Sequence, residues 1–433
     1  MNILEIIAKK RDNRELTNDE IKFFVDNYTN GNITDYQAAA LIMAIYINGM
    51  NYQEITNFTL AMANSGEVLN LSELGTVVDK HSTGGIGDKI TLILMPIIAS
   101  LGIPAAKMSG RGLGFTGGTI DKLESIPGYN TNIKIDDFIN NVKNIGISLM
   151  GQTLNLAPAD KKIYALRDTI SCVESIPLIA SSIMSKKIAA GAEKIVLEVT
   201  VGSGAFMKNI EDARKLSETM ISIGNLAGKE TICILTNMNE PIGYSIGNSL
   251  EVMEAIDALN GNMNEDVKEI ILSLGSYMMK LAGKGDNIDE NRNKILENIE
   301  NKKALNKFKE LVKNQGGDVS YIDDTSKFEK SKYIIPVISE LSGYVKAMDN
   351  ENIGYISSRL GAGRINKEDN INSRVGIIIN KKVGDEVKAG DILGYIHSDE
   401  YDIGIKSVQE LRMCYEFSDE YIEKPKHILG IIK

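Results

Sequence analysis

The chain has no tryptophan, only three histidines, three cysteines and eight prolines in 433 residues, and nowhere a cluster of basic charge. Each shortage excludes something. With 48 Lys and Arg against 58 Asp and Glu, the formal net charge is −10 and the pI about 5.1, the wrong sign for a partner whose phosphate backbone must be neutralised by concentrated Lys and Arg. A nucleic-acid partner is therefore not expected, and any basic site must be local. Cys172, Cys233 and Cys414 are odd in number, far apart and without a C-x-x-C, so they suggest neither a disulfide framework nor a zinc site and fit a reducing cytoplasm. Met1 to Glu20 mixes acids and bases without a sustained apolar segment, which predicts no signal peptide. The longest apolar stretch, Ile90 to Ala106, is broken by Ser100, Gly102 and two prolines and reads as a buried helix followed by a strand, not as a membrane span.

What is present is ample apolar content, 43%, at a length that suggests about three domains. Residues 1–66 read as a small helical domain, because capping pairs recur at Thr17 with Glu20, Thr34 with Gln37 and Asn51 with Glu54, and Gly31, Gly49 and Gly66 fall where helices should stop. Ala38, Leu41, Ile42, Ile45 and Tyr46 should form one apolar face. From Thr76 the texture changes to short β-branched runs (Thr76 to Asp79, Pro104 to Met108, Ile147 to Met150, Ile195 to Val201, Thr231 to Thr236) alternating with helical patterns. That alternation predicts a large, mostly parallel α/β domain over 67–331, with ligands at the carboxyl ends of the strands. Within it, about 160–192 forms two helices that complete the N-terminal helical domain. Residues 332–433 turn to β, with short strands and Gly-Asp turns around Gly343 to Asp349, Val375 to Ile379 and Val383 to Asp391. This C-terminal part reads as an α+β, barrel-like (hammerhead) domain akin to biotinyl and lipoyl carriers, but Lys346 in V-K-A-M lacks the hairpin-tip context of their modified lysine.

Chemistry concentrates in two loops. Lys80-His81-Ser82-Thr83-Gly84-Gly85-Ile86-Gly87-Asp88-Lys89 joins a strand to a helix with three glycines in four positions, a nest of backbone N–H groups suited to an anion. It is neither a Walker loop nor G-x-G-x-x-G. Lys80 adds charge, and Ser82, Thr83 and Thr91 add hydroxyls. A second loop, Ser109-Gly110-Arg111-Gly112-Leu113-Gly114-Phe115-Thr116-Gly117-Gly118-Thr119, also joins a strand to a helix. Two such loops on adjacent strand ends can converge on one tetrahedral oxyanion.

Together, K-H-S-T-G-G-I-G-D and S-G-R-G-L-G-F-T-G-G-T-I-D-K-L-E-S resemble the pyrimidine and thymidine nucleoside phosphorylase family, and the likeness extends to Leu166-Arg167-Asp168, Ser181 to Lys187 and Gly384 to Leu393. The resemblance implies phosphorolysis of uridine, thymidine and deoxyuridine to free base and α-D-(2-deoxy)ribose 1-phosphate by a cytoplasmic homodimer. It implies phosphate held by Lys80, His81, Ser82, Thr91, Lys107, Met108, Ser109 and Thr119, and the pyrimidine held by Arg167, Ser182 and Lys186. Ser182 and Lys186 are four apart, so on a helix they share a face. In phosphorolysis negative charge spreads onto the base carbonyls as the glycosidic bond breaks, and His81, with Arg167 and Lys186, is expected to supply the donor there. With base and phosphate on different domains, closure about a hinge should precede reaction. Lys107, the strand residue just before Met108 and Ser109, is expected to reach the sugar and admit both ribose and deoxyribose.

The same resemblance implies one monovalent cation, K⁺, near Gly87, Lys89, Ile242, Ser245 and Glu254, provided that Lys89 swings its ammonium away. Phe115 departs from the histidine usual at its position. Two rival readings remain. A phosphoribosyltransferase of the anthranilate type has similar domains, but it binds pyrophosphate with Mg²⁺ and needs more carboxylates than the single Asp88 of this loop. A non-catalytic nucleoside-binding paralogue is opposed by the intact Lys80, Ser82, Arg167, Ser182 and Lys186.

Overall fold

A computed structural model describes residues 1–112, 117–364 and 369–433. Four helices open the chain: α1 (Ile3–Arg11), α2 (Asn18–Thr29), α3 (Asp35–Asn48) and α4 (Tyr52–Ala63). All three expected capping pairs form, and Glu54 does more than cap: its carboxylate also accepts from buried Lys10 at 2.9 Å and from the Leu16 amide at 2.8 Å. Gly49 ends α3 at φ +68°, where an L side chain would be strained. Gly66 is not a helix stop. A Cβ there would lie 2.1 Å from the Asn155 carbonyl and 2.4 Å from Pro158, so the residue permits close chain approach. Ala38, Leu41, Ile42 and Ile45 are buried as expected, whereas Tyr46 is 42% exposed, one step beyond the edge of the stripe.

The central domain is built on β1 (Val78–Ser82), β2 (Ala105–Ser109), β3 (Ile147–Gly151), β4 (Lys194–Val201) and β5 (Glu230–Asn237), with α5 (Ile90–Ser100), α6 (Thr119–Leu123) and α7 (Ile135–Ile145) between the first three. The strands form two sheets instead of one: β1, β4 and β5 run parallel, and β2 and β3 make a separate parallel pair. Between β3 and β4, α8 (Pro158–Thr169) and α9 (Ile176–Ala189) return to the N-terminal helices, where Ala159, Ile163, Cys172 and Leu178 join the core of α1 to α4. The domain goes on through α10 (Ile210–Leu226), β6 (Ser245–Ile246), α11 (Asn248–Leu259), α12 (Glu265–Leu281), α13 (Ile288–Glu300), α14 (Lys303–Asn314) and the short α15 (Ser320–Asp323). Helix α5 is apolar on every side but for Thr91 and Ser100 and is buried from Ile90 to Ala99, which suits it to the middle of the largest core.

The C-terminal part holds two antiparallel sheets, with orders β10-β8-β12 and β6-β9-β11-β7, from β7 (Tyr333–Ile338), β8 (Gly343–Met348), β9 (Gly376–Ile379), β10 (Glu386–Val387), β11 (Ile392–Ser398) and β12 (Tyr415–Ser418). Lys346 lies inside β8, paired with Glu416, and not at a hairpin tip. The domains are stitched in both directions. Strand β6 leaves the central domain to pair with β9, and the last strand, β13 (Ile428–Ile432), returns to pair antiparallel with β5.

Candidate active site

The strand preceding the first glycine loop runs further than the sequence suggests. β1 continues through Ser82 because Lys80, His81 and Ser82 pair in register with Val196, Leu197 and Glu198 of β4. Alternation along a strand then separates neighbours. Asp79 and His81 turn to one face, and Lys80 to the other, where it is 0% exposed, 2.7 Å from Glu198 and 3.8 Å from Asp88. Lys80 is thus beneath the loop and does not line the cavity above it. Burial works against its charge, but Asp88 and Glu198 outweigh burial and raise its pKa. Asp88 is in turn held below the ordinary carboxylate range by Lys80 and Lys122, against burial.

The cavity, about 330 Å³, lies between the strand ends and the helical domain. Its lining brings His81, Ser82, Thr91, Lys107, Met108, Ser109 and Thr119 from the central domain to face Arg167, Ser182 and Lys186 from α8 and α9. Both glycine loops open onto it, as expected; Phe115 lies outside the described residues. Ser82 Oγ accepts from the Gly84 amide at 3.1 Å, which shapes the turn. The second loop is tied down at its base: Arg111 forks onto Glu124, and the Gly112 amide donates to buried Asp121 at 2.7 Å. Arg364, from the C-terminal part, closes on the same Asp121 at 2.9 Å.

On α9 the four-residue spacing gives the expected contact: Lys186 Nζ donates to Ser182 Oγ at 2.9 Å and to Asp160 at 2.6 Å. Arg167 is 1% exposed and largely committed to its own backbone. Its guanidinium donates to the carbonyls of Cys172, Val173 and Leu178, fixing the turn between α8 and α9 while one edge remains on the cavity.

On the His81 face Lys107 lines the cavity as expected, but its pairing with Asp79, and the inward turn of Lys187, were not legible in the sequence. Asp79 receives Lys107 at 3.0 Å and Lys187 at 2.8 Å, all three buried. Lys187, which a K-K pair on a helix would put in solvent, is 100° round from Lys186 and points inward. Burial lowers the Lys107 pKa to about 7; Asp79 opposes this and Lys187 reinforces it. Burial and the positive field of Lys187, Lys107, Lys186 and Lys80 push His81 well below its ordinary value. At neutral pH His81 is therefore a neutral imidazole, a hydrogen-bond donor rather than an acid.

The residues expected around a potassium ion do come together, but they do not fit one. Lys89 has not swung away: its Nζ lies 2.6 Å from the Ile242 carbonyl, 3.0 Å from the Ser245 carbonyl and 2.8 Å from Glu254, and the Gly87 carbonyl instead accepts the Lys89 amide. The ammonium fills the place that the ion would need.

Three family models match the chain: the glycosyl transferase family helical bundle domain over 4–66, the glycosyl transferase family a/b domain over 74–305 and the pyrimidine nucleoside phosphorylase C-terminal domain over 344–418. The chain is 52% identical over 413 residues to a pyrimidine-nucleoside phosphorylase of Staphylococcus haemolyticus, covering 95% of both, and 53% identical over 394 residues to one of Bacillus subtilis, covering 91% of both. Among solved structures, anthranilate phosphoribosyltransferase of Thermus thermophilus shares the fold at a TM-score of 0.60 and 16% identity, over 72% of this chain and 99% of that one. The phosphorylase C-terminal domain and the half-identical relatives, set on the two opposed half-sites, place this chain in the pyrimidine nucleoside phosphorylase family.

Proposed function

We propose that the protein cleaves pyrimidine nucleosides with inorganic phosphate, releasing the free base and α-D-(2-deoxy)ribose 1-phosphate, and that it accepts uridine, deoxyuridine and thymidine. The observation that carries this reading is the division of one cavity into an anion half, made by two glycine loops with Ser82, Thr91, Ser109 and Thr119, and a polar half, made by Arg167, Ser182 and Lys186. Such a cavity seats phosphate below C1′ and the base carbonyls against cations. Phosphate oxygen attacks C1′ as the bond to N1 breaks, and the electron pair leaves with the base. Charge then develops on the base carbonyls, where fixed donors stabilise it most. Neutral His81, Arg167 and Lys186 are those donors, and the base takes its proton afterwards. A bound phosphate dianion also opposes the lysine field on His81 and draws its pKa back up.

The fold alone is shared with a phosphoribosyltransferase, so the cavity must discriminate. Among the described residues Asp88 is its only carboxylate, and no group of three metal-ligating side chains is present. That suits inorganic phosphate better than a magnesium pyrophosphate. We also read the protein as a cytoplasmic homodimer: Tyr36 and Ile47 of α3 are more than 70% exposed on an apolar helix, a surface suited to a second copy, and its three cysteines are free. Among the described residues no helix is long and apolar enough to cross a membrane. The decisive experiment is ultraviolet detection of uracil and thymine released from uridine and thymidine with and without phosphate. Release from both that stops when phosphate is omitted is expected; undiminished release would make the enzyme a hydrolase.

A further inference from the structure

Lys89 ends the first glycine loop immediately before α5, yet its side chain is 0% exposed and leaves the cavity side altogether. An ammonium has three hydrogens. Here each meets one acceptor: the carbonyls of Ile242 and Ser245, and one carboxylate oxygen of Glu254. The acceptors are themselves fixed. Glu254 takes the amides of Tyr244 and Ser245 at 2.8 Å each and the Asn264 side chain at 2.6 Å, while the Gly243 amide is held by Asp266 at 2.7 Å. Two left-handed glycines make room for this cradle. A Cβ on Gly243 (φ +67°) would lie 2.7 Å from Lys89 Nζ and 2.3 Å from Glu254, and one on Gly87 (φ +73°) 2.5 Å from the Ile242 carbonyl.

A rigid group of two carbonyl oxygens and a carboxylate oxygen around a buried point is a receptor for a desolvated monovalent cation. Ammonium and potassium share charge and nearly share size. We propose that Lys89 Nζ is the protein's own covalently tethered monovalent cation, which joins the first glycine loop to the 242–245 turn and α11 and makes stability and turnover independent of added potassium. A tethered cation cannot dissociate, so the loop is held at any salt composition, whereas a free ion would stabilise the fold in proportion to its concentration.

The test compares potassium chloride with tetramethylammonium chloride at equal ionic strength, because the organic cation is too large for the cradle. For the unaltered protein, the melting temperature by circular dichroism and the rate of base release should be the same in both salts; a melting temperature higher in potassium by more than about 2 °C overturns the proposal. Lys89→Thr removes the ammonium and leaves the carbonyls of Ile242 and Ser245 and the Glu254 carboxylate without it. It should melt about 5 °C or more below the unaltered protein in tetramethylammonium and recover at least half of that loss in potassium. Equal melting of the variant in the two salts, or failure to fold in both, means that the cradle does not take a cation and also refutes the inference. Because melting is read without substrate, the outcome stands apart from whether the enzyme proves to be a phosphorylase.

Discussion

Replacing Lys107 by methionine should remove a specific pH dependence from the stability of the fold. Lys107, Lys187 and Asp79 are a buried group of two cations and one anion, and burial with the second ammonium brings Lys107 to about 7 from its ordinary 10.5. The unfolded chain therefore keeps this proton between about pH 7 and 10.5 while the folded chain releases it. The state that binds more protons is favoured as pH falls, so folding gains stability as pH rises through that window. At about 1.4 kcal/mol per pH unit for a full proton difference, with the folded lysine already half-neutral at pH 7, the gain from pH 7 to 9 is about 2 kcal/mol. In Lys107→Met that contribution is absent, and the remaining Asp79 with Lys187 is a balanced pair. An apolar side chain of similar length in place of a surplus buried charge should cost little at pH 7. The difference in unfolding free energy between the two proteins should thus grow by about 2 kcal/mol in favour of the unaltered protein from pH 7 to pH 9. With no tryptophan in the chain, urea unfolding is followed by circular dichroism, and the same transition is compared in both proteins. Parallel pH profiles would refute the argument, and so would a wider gap at acid pH.

Two other substitutions separate positioning from binding. Arg167→Ala leaves three backbone carbonyls without their donor, so it should cost on the order of 3 kcal/mol of stability as well as nucleoside affinity; a variant as stable as its parent, read by thermal denaturation, would show that the guanidinium does not hold the α8–α9 turn. Lys80→Met leaves Asp88, which faces the anion half, with Lys122 alone to balance it, so the KM for phosphate should rise at least about tenfold with the nucleoside KM little changed; equal rises in both would remove the role of Lys80 in phosphate binding.

What the sequence showed and what it hid divide by the range of the interaction. Capping pairs such as Thr17 with Glu20, the strand-loop-helix joins at Lys80 and Ser109, and the shared face of Ser182 and Lys186 depend on residues a few positions apart, and each is present in the fold. The acceptors of the buried lysines are distant in the chain. Nothing near Lys187 announces Asp79, nothing near Lys80 announces Glu198, and Lys89 meets its carbonyls only where β6 begins. The same holds for β13, whose place beside β5 no local pattern fixes. One local fact would have carried further: if β1 is strand through Ser82, consecutive Lys80 and His81 cannot share a face. That alternation settles how the site handles charge. Lys80 neutralises Asp88 from below, so the first loop offers an anion little net repulsion, while Lys107 and Lys187 on the His81 face share the single carboxylate of Asp79, and Lys107 sheds the surplus charge by giving up its proton at about 7. In the proposed reaction, a phosphate dianion on that face would supply a second counter-charge and draw Lys107 back to its protonated form, so that filling the site would restore the charge that the free protein gives up.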